Sequence, residues 1–218
     1  KALKVLQASH VVAYPQPDDG PSFARSIAAP HLNDSQLEIP IIVPMAVKRH
    51  PAKAVYDAAA ETIAHHLDAG SDVVVLCEGD PFFYGSFMYL HERLAHRYPV
   101  EIVPGVSSIM ASAAAIARPL AARNDVLAVI PAPLDDARIA QQIKSADAVA
   151  IIKLGRHLPR IRAIIETMGL TAQAAFVERV TLENEKLMPL SDAPSDAPYF
   201  SMILIYKGAE GWVLGLPA

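Results

Sequence analysis

The sequence predicts an α/β protein with mainly parallel sheets. Short, near-continuous apolar runs rich in β-branched residues alternate with longer alanine-rich stretches, the pattern of strands separated by helices. The runs show little period-two alternation, as expected of strands covered on both faces. With 218 residues, 52% of them hydrophobic, the chain is long enough for one large core or two small ones.

A helix is expected over residues 2–8, where the chain opens, followed by a strand at 11–14 that Pro15 stops. Residues 22–29 read as a helix and 39–43 as a strand ending at Pro44. The long helix predicted over 52–69 meets Gly70, a C-terminal cap, before the apolar strand 72–77. Ser86 is placed to cap a helix over 86–96, and Pro99 follows its end. A strand at 100–103 stops at Pro104, and a helix is predicted over 107–117. Turn-like sequence near Pro119–Asn124 then suggests a junction, giving an N-terminal α/β domain at 1–120 and a C-terminal one at 121–218. The second domain alternates strand 126–130, helix 135–145, strand 146–153 and helix 158–168, with Gly169 as its cap. Beyond Ala174, strands at 174–180 and 200–206 have only turn-like residues such as Ser191-Asp192-Ala193-Pro194 between them. No crossover helix fits there, so these strands are expected to be antiparallel. Of 18 prolines, Pro15, Pro44, Pro81, Pro104 and Pro131 each follow a predicted strand. Proline stops a strand and stiffens the next turn, which predicts a rigid rim at the carboxyl edge of the sheets.

Composition narrows function. A formal charge of −4 argues against nonspecific nucleic-acid binding. The single cysteine, Cys77, excludes a disulfide scaffold; ending an apolar strand, it reads as a buried hydrophobe rather than a nucleophile. No apolar run approaches the roughly 20 residues a membrane-spanning helix needs. Without a secretion-signal pattern, a reducing cytoplasm is expected. Neither G-x-G-x-x-G nor G-x-x-x-x-G-K occurs. His91 and His96 are five residues apart and diverge around a helix, and the adjacent His65 and His66 face different ways, so no metal site is expected.

Two strand-to-helix turns carry the chemistry. In Val75-Leu76-Cys77-Glu78-Gly79-Asp80-Pro81-Phe82-Phe83-Tyr84-Gly85-Ser86, a strand runs into an acidic, glycine-containing turn and then an aromatic patch. Gly79 permits close approach of a ligand to the backbone, Asp80 accepts hydrogen bonds, and the aromatics would wall a flat apolar ligand. An ordinary capped turn with core phenylalanines is the competing reading. The second turn is Val103-Pro104-Gly105-Val106-Ser107-Ser108, whose serines would equally serve as helix caps. Two such turns at the carboxyl ends of adjacent strands mark the ligand edge of an open α/β sheet. Lys153, Arg156, His157, Arg160 and Arg162 form a basic cluster near a helix start, where positive charge opposes the helix dipole. It reads as a solvated or ion-paired face, or as a patch for a carboxylate-rich substrate.

The stretch from Leu76 through Cys77-Glu78-Gly79-Asp80-Pro81-Phe82-Phe83-Tyr84-Gly85-Ser86 to Leu90 resembles the tetrapyrrole methylases, and within them the precorrin-2 C-20 methyltransferase branch of cobalamin biosynthesis. The likeness continues through Val103–Ala111, Ile152–Pro159, Phe176–Arg179 and Pro198–Ser201. It implies two α/β domains of the tetrapyrrole methylase type with S-adenosylmethionine (SAM) in the cleft between them, S-adenosylhomocysteine as product, and a homodimer. It implies cofactor contacts at Glu78, Gly79, Asp80, Phe83, Ser107, Ser108, Leu154 and Ala174 or Ala175. Family members open with a strand and a Gly-x-Gly-Pro-Gly-Asp-Pro loop before a helix like that at 2–8; this chain carries neither, so the first strand is expected to be missing from it. The stretch Met45–Pro51 is short for a family loop, which suggests an internal break.

The reaction implied is methyl transfer from SAM to carbon 20 of precorrin-2, a reduced tetrapyrrole. Tyr14, Tyr84 and Arg156 are the substrate candidates, and no residue stands out as a catalytic base. The alternatives are the same methylation of the cobalt-containing analogue, an RNA or protein methyltransferase of the same fold, and a noncatalytic ligand-binding module.

Overall fold

The computed structural model describes residues 1–44 and 49–208. The suspected break within 45–51 falls largely on residues 45–48, outside those described. Contacts divide the chain into two units, Lys1–Ser107 and Ser108–Ala218.

In the first unit the order is α1 (Ala2–Ala8), β1 (Val11–Pro17), α2 (Phe23–Ala28), β2 (Leu37–Val43), α3 (Arg49–Asp68), β3 (Val73–Val75) and α4 (Phe87–Leu94). The strands pair in parallel in the order β2-β1-β3. Successive residues of β1 serve opposite faces. Ala13 packs with Ile41, Tyr56, Ile63, Leu90 and Leu94, whereas Val12 and Tyr14 pack with Leu6 and Ala28. Burying each large aliphatic side chain here contributes roughly 1.5–3 kcal/mol. Ser22 caps α2, its hydroxyl accepting from the Arg25 amide at 3.1 Å. At the end of α3, Gly70 takes the expected left-handed turn (φ 84°) and its amide donates to the Leu67 carbonyl at 2.9 Å.

Residues 100–103 are not a strand, contrary to the sequence expectation. The reason is the neighbour. β3 pairs with β1 on one edge, and among the described residues no strand pairs with its other edge. A cavity of about 950 Å³ is lined by Val73–Val75 and by Val100–Val106, together with residues of α1. An apolar run without a ladder partner stays irregular, however β-prone its residues.

The second unit comprises α5 (Ser108–Ala115), β4 (Leu127–Pro131), α6 (Asp136–Ser145), β5 (Ala148–Ile152), α7 (Leu158–Thr167), β6 (Ala174–Glu178), β7 (Lys186–Pro189) and β8 (Ser201–Tyr206). Its sheet has the order β4-β5-β8-β6-β7. β4 and β5 are parallel, and the late strands are antiparallel, as the missing crossover predicted. One face buries Ile130, Ile151, Phe176 and Ile203 under Ile139, Ile143, Ile161 and Ile165 of α6 and α7. The other buries Ala150, Ala175, Met202 and Leu204 with Ile109 and Ile116. That packing places α5 in this unit, so the division at 107/108 differs from the sequence-based boundary after 120 by one helix. Asp135 caps α6 by accepting from the Arg138 amide at 2.9 Å. β7, with a lysine, a proline and four residues, carries no strand signature and was not predicted. Among the described residues no helix is long and apolar enough to cross a membrane.

Candidate ligand site at the carboxyl edges of the sheets

β3 delivers the chain into the turn at Glu78-Gly79-Asp80. Gly79 adopts φ 68°, a left-handed conformation that a side chain would strain. Asp80 then ties two loops together with one carboxylate. Its Oδ1 accepts from the Phe82 amide at 2.9 Å, and its Oδ2 accepts from the Gly105 amide at 3.1 Å. The second loop presses close at that point. A Cβ built on Gly105 would overlap the Gly79 carbonyl oxygen and stand 2.9 Å from its carbon. Gly85 is confined as well, since a Cβ there would lie 2.8 Å from the Pro81 carbonyl oxygen. The two turns singled out in the sequence are therefore one device, held by a carboxylate and by the lack of two side chains. The Gly105–Gly79 contact escaped the sequence because nothing local in Pro104-Gly105 says what it touches.

Glu78 and Gly79 are exposed and line the 950 Å³ cavity together with Cys77, Pro81 and Val103–Val106. Asp80 and Phe83 are not among its lining residues. Phe82, Phe83 and Tyr84 are exposed, and the Phe83 and Tyr84 rings meet edge to face at 5.0 Å. Tyr84 holds φ 56°, an uncommon conformation for a bulky side chain. The aromatic patch is thus surface, not core. Ser86 makes no capping bond to α4 through its side chain, contrary to expectation. Its hydroxyl instead interacts with the Tyr56 phenol. Ser107 ends the first unit and Ser108 begins α5.

Cys77 is partly buried, and burial pushes its thiol up to about 12, with the Glu78 carboxylate adding to the effect. Thiolate is the nucleophile, so little is present at neutral pH. We expect native protein at pH 8 to resist iodoacetamide and to react stoichiometrically once unfolded in urea; rapid native labelling, read by intact mass, would contradict this environment.

Tyr14 is buried within β1, and burial raises its pKa, with Glu38 adding to the rise. Glu38 forms a two-pronged ion pair with Arg25, at 2.5 and 2.8 Å, which lowers the carboxyl pKa. Tyr14 therefore sits in a polar network on the α1–α2 side of its sheet.

In the second unit, Leu154 is fully buried beside Ile130, Ile151 and Leu158, and Ala175 is buried between Pro189 and Leu204 in the sheet. Neither offers an exposed side chain, so a ligand would meet main chain there. Of the basic cluster, Arg156 is exposed. Arg160 and Arg162 are engaged locally. Arg160 donates to the carbonyls of Leu134 and Ala132 and pairs with Asp136, while Arg162 donates to the carbonyls of Ala193 and Pro194. Burial and the neighbouring Arg160 and Arg156 lower the His157 pKa. Arg160 and Arg162 are thus struts between loops, and the basic cluster reduces to a smaller exposed patch.

Residues 1–193 match the family of Tetrapyrrole (Corrin/Porphyrin) Methylases. The cobalamin biosynthesis protein CobIJ of Mycobacterium tuberculosis is 39% identical over 217 residues, covering 95% of this chain. The chain spans only 43% of that relative's length. A precorrin-2 C(20)-methyltransferase of a Sinorhizobium species is 36% identical over 221 residues, covering 97% of this chain and 89% of the relative. Among solved structures, a uroporphyrin-III C-methyl transferase from Thermus thermophilus, complexed with S-adenosyl homocysteine, superposes with a TM-score of 0.59 at 20% identity. That superposition covers 93% of this chain and 88% of the other. A paired-loop carboxyl edge, a buried second sheet with antiparallel late strands and a family match over residues 1–193 converge: the chain belongs to the tetrapyrrole methylase family.

Proposed function

We propose that this chain transfers a methyl group from SAM to carbon 20 of precorrin-2 in cobalamin biosynthesis. The observation that carries the proposal is the likeness to the Sinorhizobium precorrin-2 C(20)-methyltransferase, which runs over nearly the full length of both chains. The exposed Glu78-Gly79 turn on a cavity of about 950 Å³ supports it physically.

SAM, when bound, supplies a methyl group already activated by its sulfonium. The work left to the protein is alignment, the source of much of the acceleration in such transfers. Glu78 and Gly79 meet the cofactor in this reading, with Phe83 beside them and Ser107 and Ser108 at the following turn. Asp80 acts through the loops it ties, by fixing the Gly79 and Gly105 backbones. In the second unit, the main chain at Leu154 and Ala175 provides further cofactor contact. Arg156 meets a carboxylate of the substrate, Tyr84 lies against the macrocycle, and Tyr14, buried in β1, acts only through its Arg25–Glu38 neighbours. The proton lost from carbon 20 passes to water in this scheme. A cytoplasmic homodimer is part of the same proposal.

The test is to incubate the protein with SAM and either metal-free or cobalt-loaded substrate and weigh the products. Gain of one methyl group on the metal-free ring is the expected result. Gain on the cobalt-loaded ring alone would move the activity to that analogue, and no gain on either would overturn the proposal.

A further inference from the structure

The loop that follows Glu78 and Gly79 is held against α4 by an aromatic cluster that includes a histidine. Phe87 and His91 stand four residues apart on α4 and so share a face of the helix. The Phe82 ring meets His91 edge to face, with centroids 5.0 Å apart and planes at 85°. It also lies 5.9 Å from Phe87, and the Phe87 and His91 rings are 6.1 Å apart. All three separations fall in the range where aromatic rings attract. Phe87 in turn packs against the buried cluster that includes Ala13, Tyr56 and Leu90. The three rings therefore connect the loop to the core of the first unit.

The backbone of Phe82 carries the connection on to the ligand edge. Its amide donates to Asp80 Oδ1 at 2.9 Å, and Asp80 Oδ2 accepts the Gly105 amide at 3.1 Å. A shift of the Phe82 ring is thus felt by both turns. Phe82 is 46% exposed, so its place depends on the rings of α4 rather than on core burial. His91 is half-buried and lines the 950 Å³ cavity, as do Glu78, Gly79 and Phe87. It stands where the loop, the helix and the cavity meet.

We propose that His91 is a positioning residue for the cofactor turn: with Phe87 it orients Phe82, and through Phe82 and Asp80 it sets the Glu78-Gly79 and Gly105 backbones. The role rests on the methyltransferase reading and adds to it a residue that acts through its neighbours. Holding the turn before the ligand arrives spares an ordering cost that binding would otherwise bear. The benefit falls on cofactor affinity rather than on the chemical step, so it is read in KM and not in kcat.

The test compares the whole chain with His91→Ala, His91→Phe and His96→Ala, by calorimetry with S-adenosylhomocysteine, initial rates with SAM and precorrin-2, and thermal unfolding. His91→Ala should weaken S-adenosylhomocysteine binding and raise KM for SAM about three- to tenfold, the worth of one ring contact, with kcat within about twofold of the parent. His91→Phe keeps a ring and loses both ring nitrogens, and it should recover most of that loss. His96 is exposed and lies beyond the end of α4, so His96→Ala should match the parent. A merely structural role would lower kcat through the folded fraction and leave KM unchanged, and that pattern overturns the proposal. His91→Ala binding and turning over as an active parent does overturns it too, while leaving the methyltransferase reading intact. His91→Phe as weak as His91→Ala would mean that a ring nitrogen touches the ligand, which again overturns a positioning role. A parent that neither binds S-adenosylhomocysteine nor methylates precorrin-2 defeats the methyltransferase reading, and this role with it.

Discussion

Gly105→Ala is expected to lower the stability of the first unit by about 2–3 kcal/mol and to weaken S-adenosylhomocysteine binding at least about tenfold. The new methyl group has nowhere to go. It would overlap the Gly79 carbonyl oxygen, and the next neighbours are the Gly79 carbon at 2.9 Å and the Asp80 Cα at 3.5 Å, all backbone. No flexible side chain can swing aside, so the two loops must part. Parting them stretches the Gly105 amide bond to Asp80 and shifts the Gly79 turn that lines the cavity. Stability and binding should therefore fall together. Gly20→Ala is the matched control, because its Cβ would meet only the Pro17 Cγ, at an ordinary 3.9 Å. Urea titration of both variants checks the stability difference, and calorimetry the binding; equal behaviour of the two would contradict the loop contact.

The second large effect belongs to the core of the other unit. Phe176→Ala should cost about 3–5 kcal/mol, through lost burial and an unfilled cavity. Phe176 is fully buried in β6, opposite Ile203 of β8 and Met188 of β7, under the α6–α7 layer. Against a total stability of roughly 5–15 kcal/mol, that loss is a large fraction. Phe83→Ala removes the same side chain from an exposed site and should change stability little. Hydrogen exchange should lose protection in β6 and β8 of the Phe176 variant while β1 keeps its own. Uniform loss across both sheets would mean the units do not unfold separately.

These two phenylalanines show what the sequence could and could not tell. Both lie in apolar surroundings along the chain, but Phe176 is central to a strand with partners on both sides, whereas Phe83 follows a glycine turn. The Glu78-Gly79-Asp80 turn was legible because strand, turn and helix are local patterns. Its grip on Gly105 was not, since the contact joins residues 26 apart. Residues 100–103 have every local feature of a strand yet are irregular, because pairing is a property of the neighbour. β7 is the converse case: Lys186-Leu187-Met188-Pro189 has little strand character and pairs because β6 presents an open edge. The basic cluster was legible as charge but not as architecture. Arg160 and Arg162 reach carbonyls 26 to 32 residues away, and only the fold brings those acceptors within range.

The most direct measurement is a calorimetric titration of the unmodified chain with S-adenosylhomocysteine. Saturable binding of one ligand per chain, lost or strongly weakened in Gly105→Ala and retained in Gly20→Ala, is the expected result. No binding by the unmodified chain at millimolar ligand, or equal binding by both variants, would contradict a cofactor site built on the paired Gly79 and Gly105 loops.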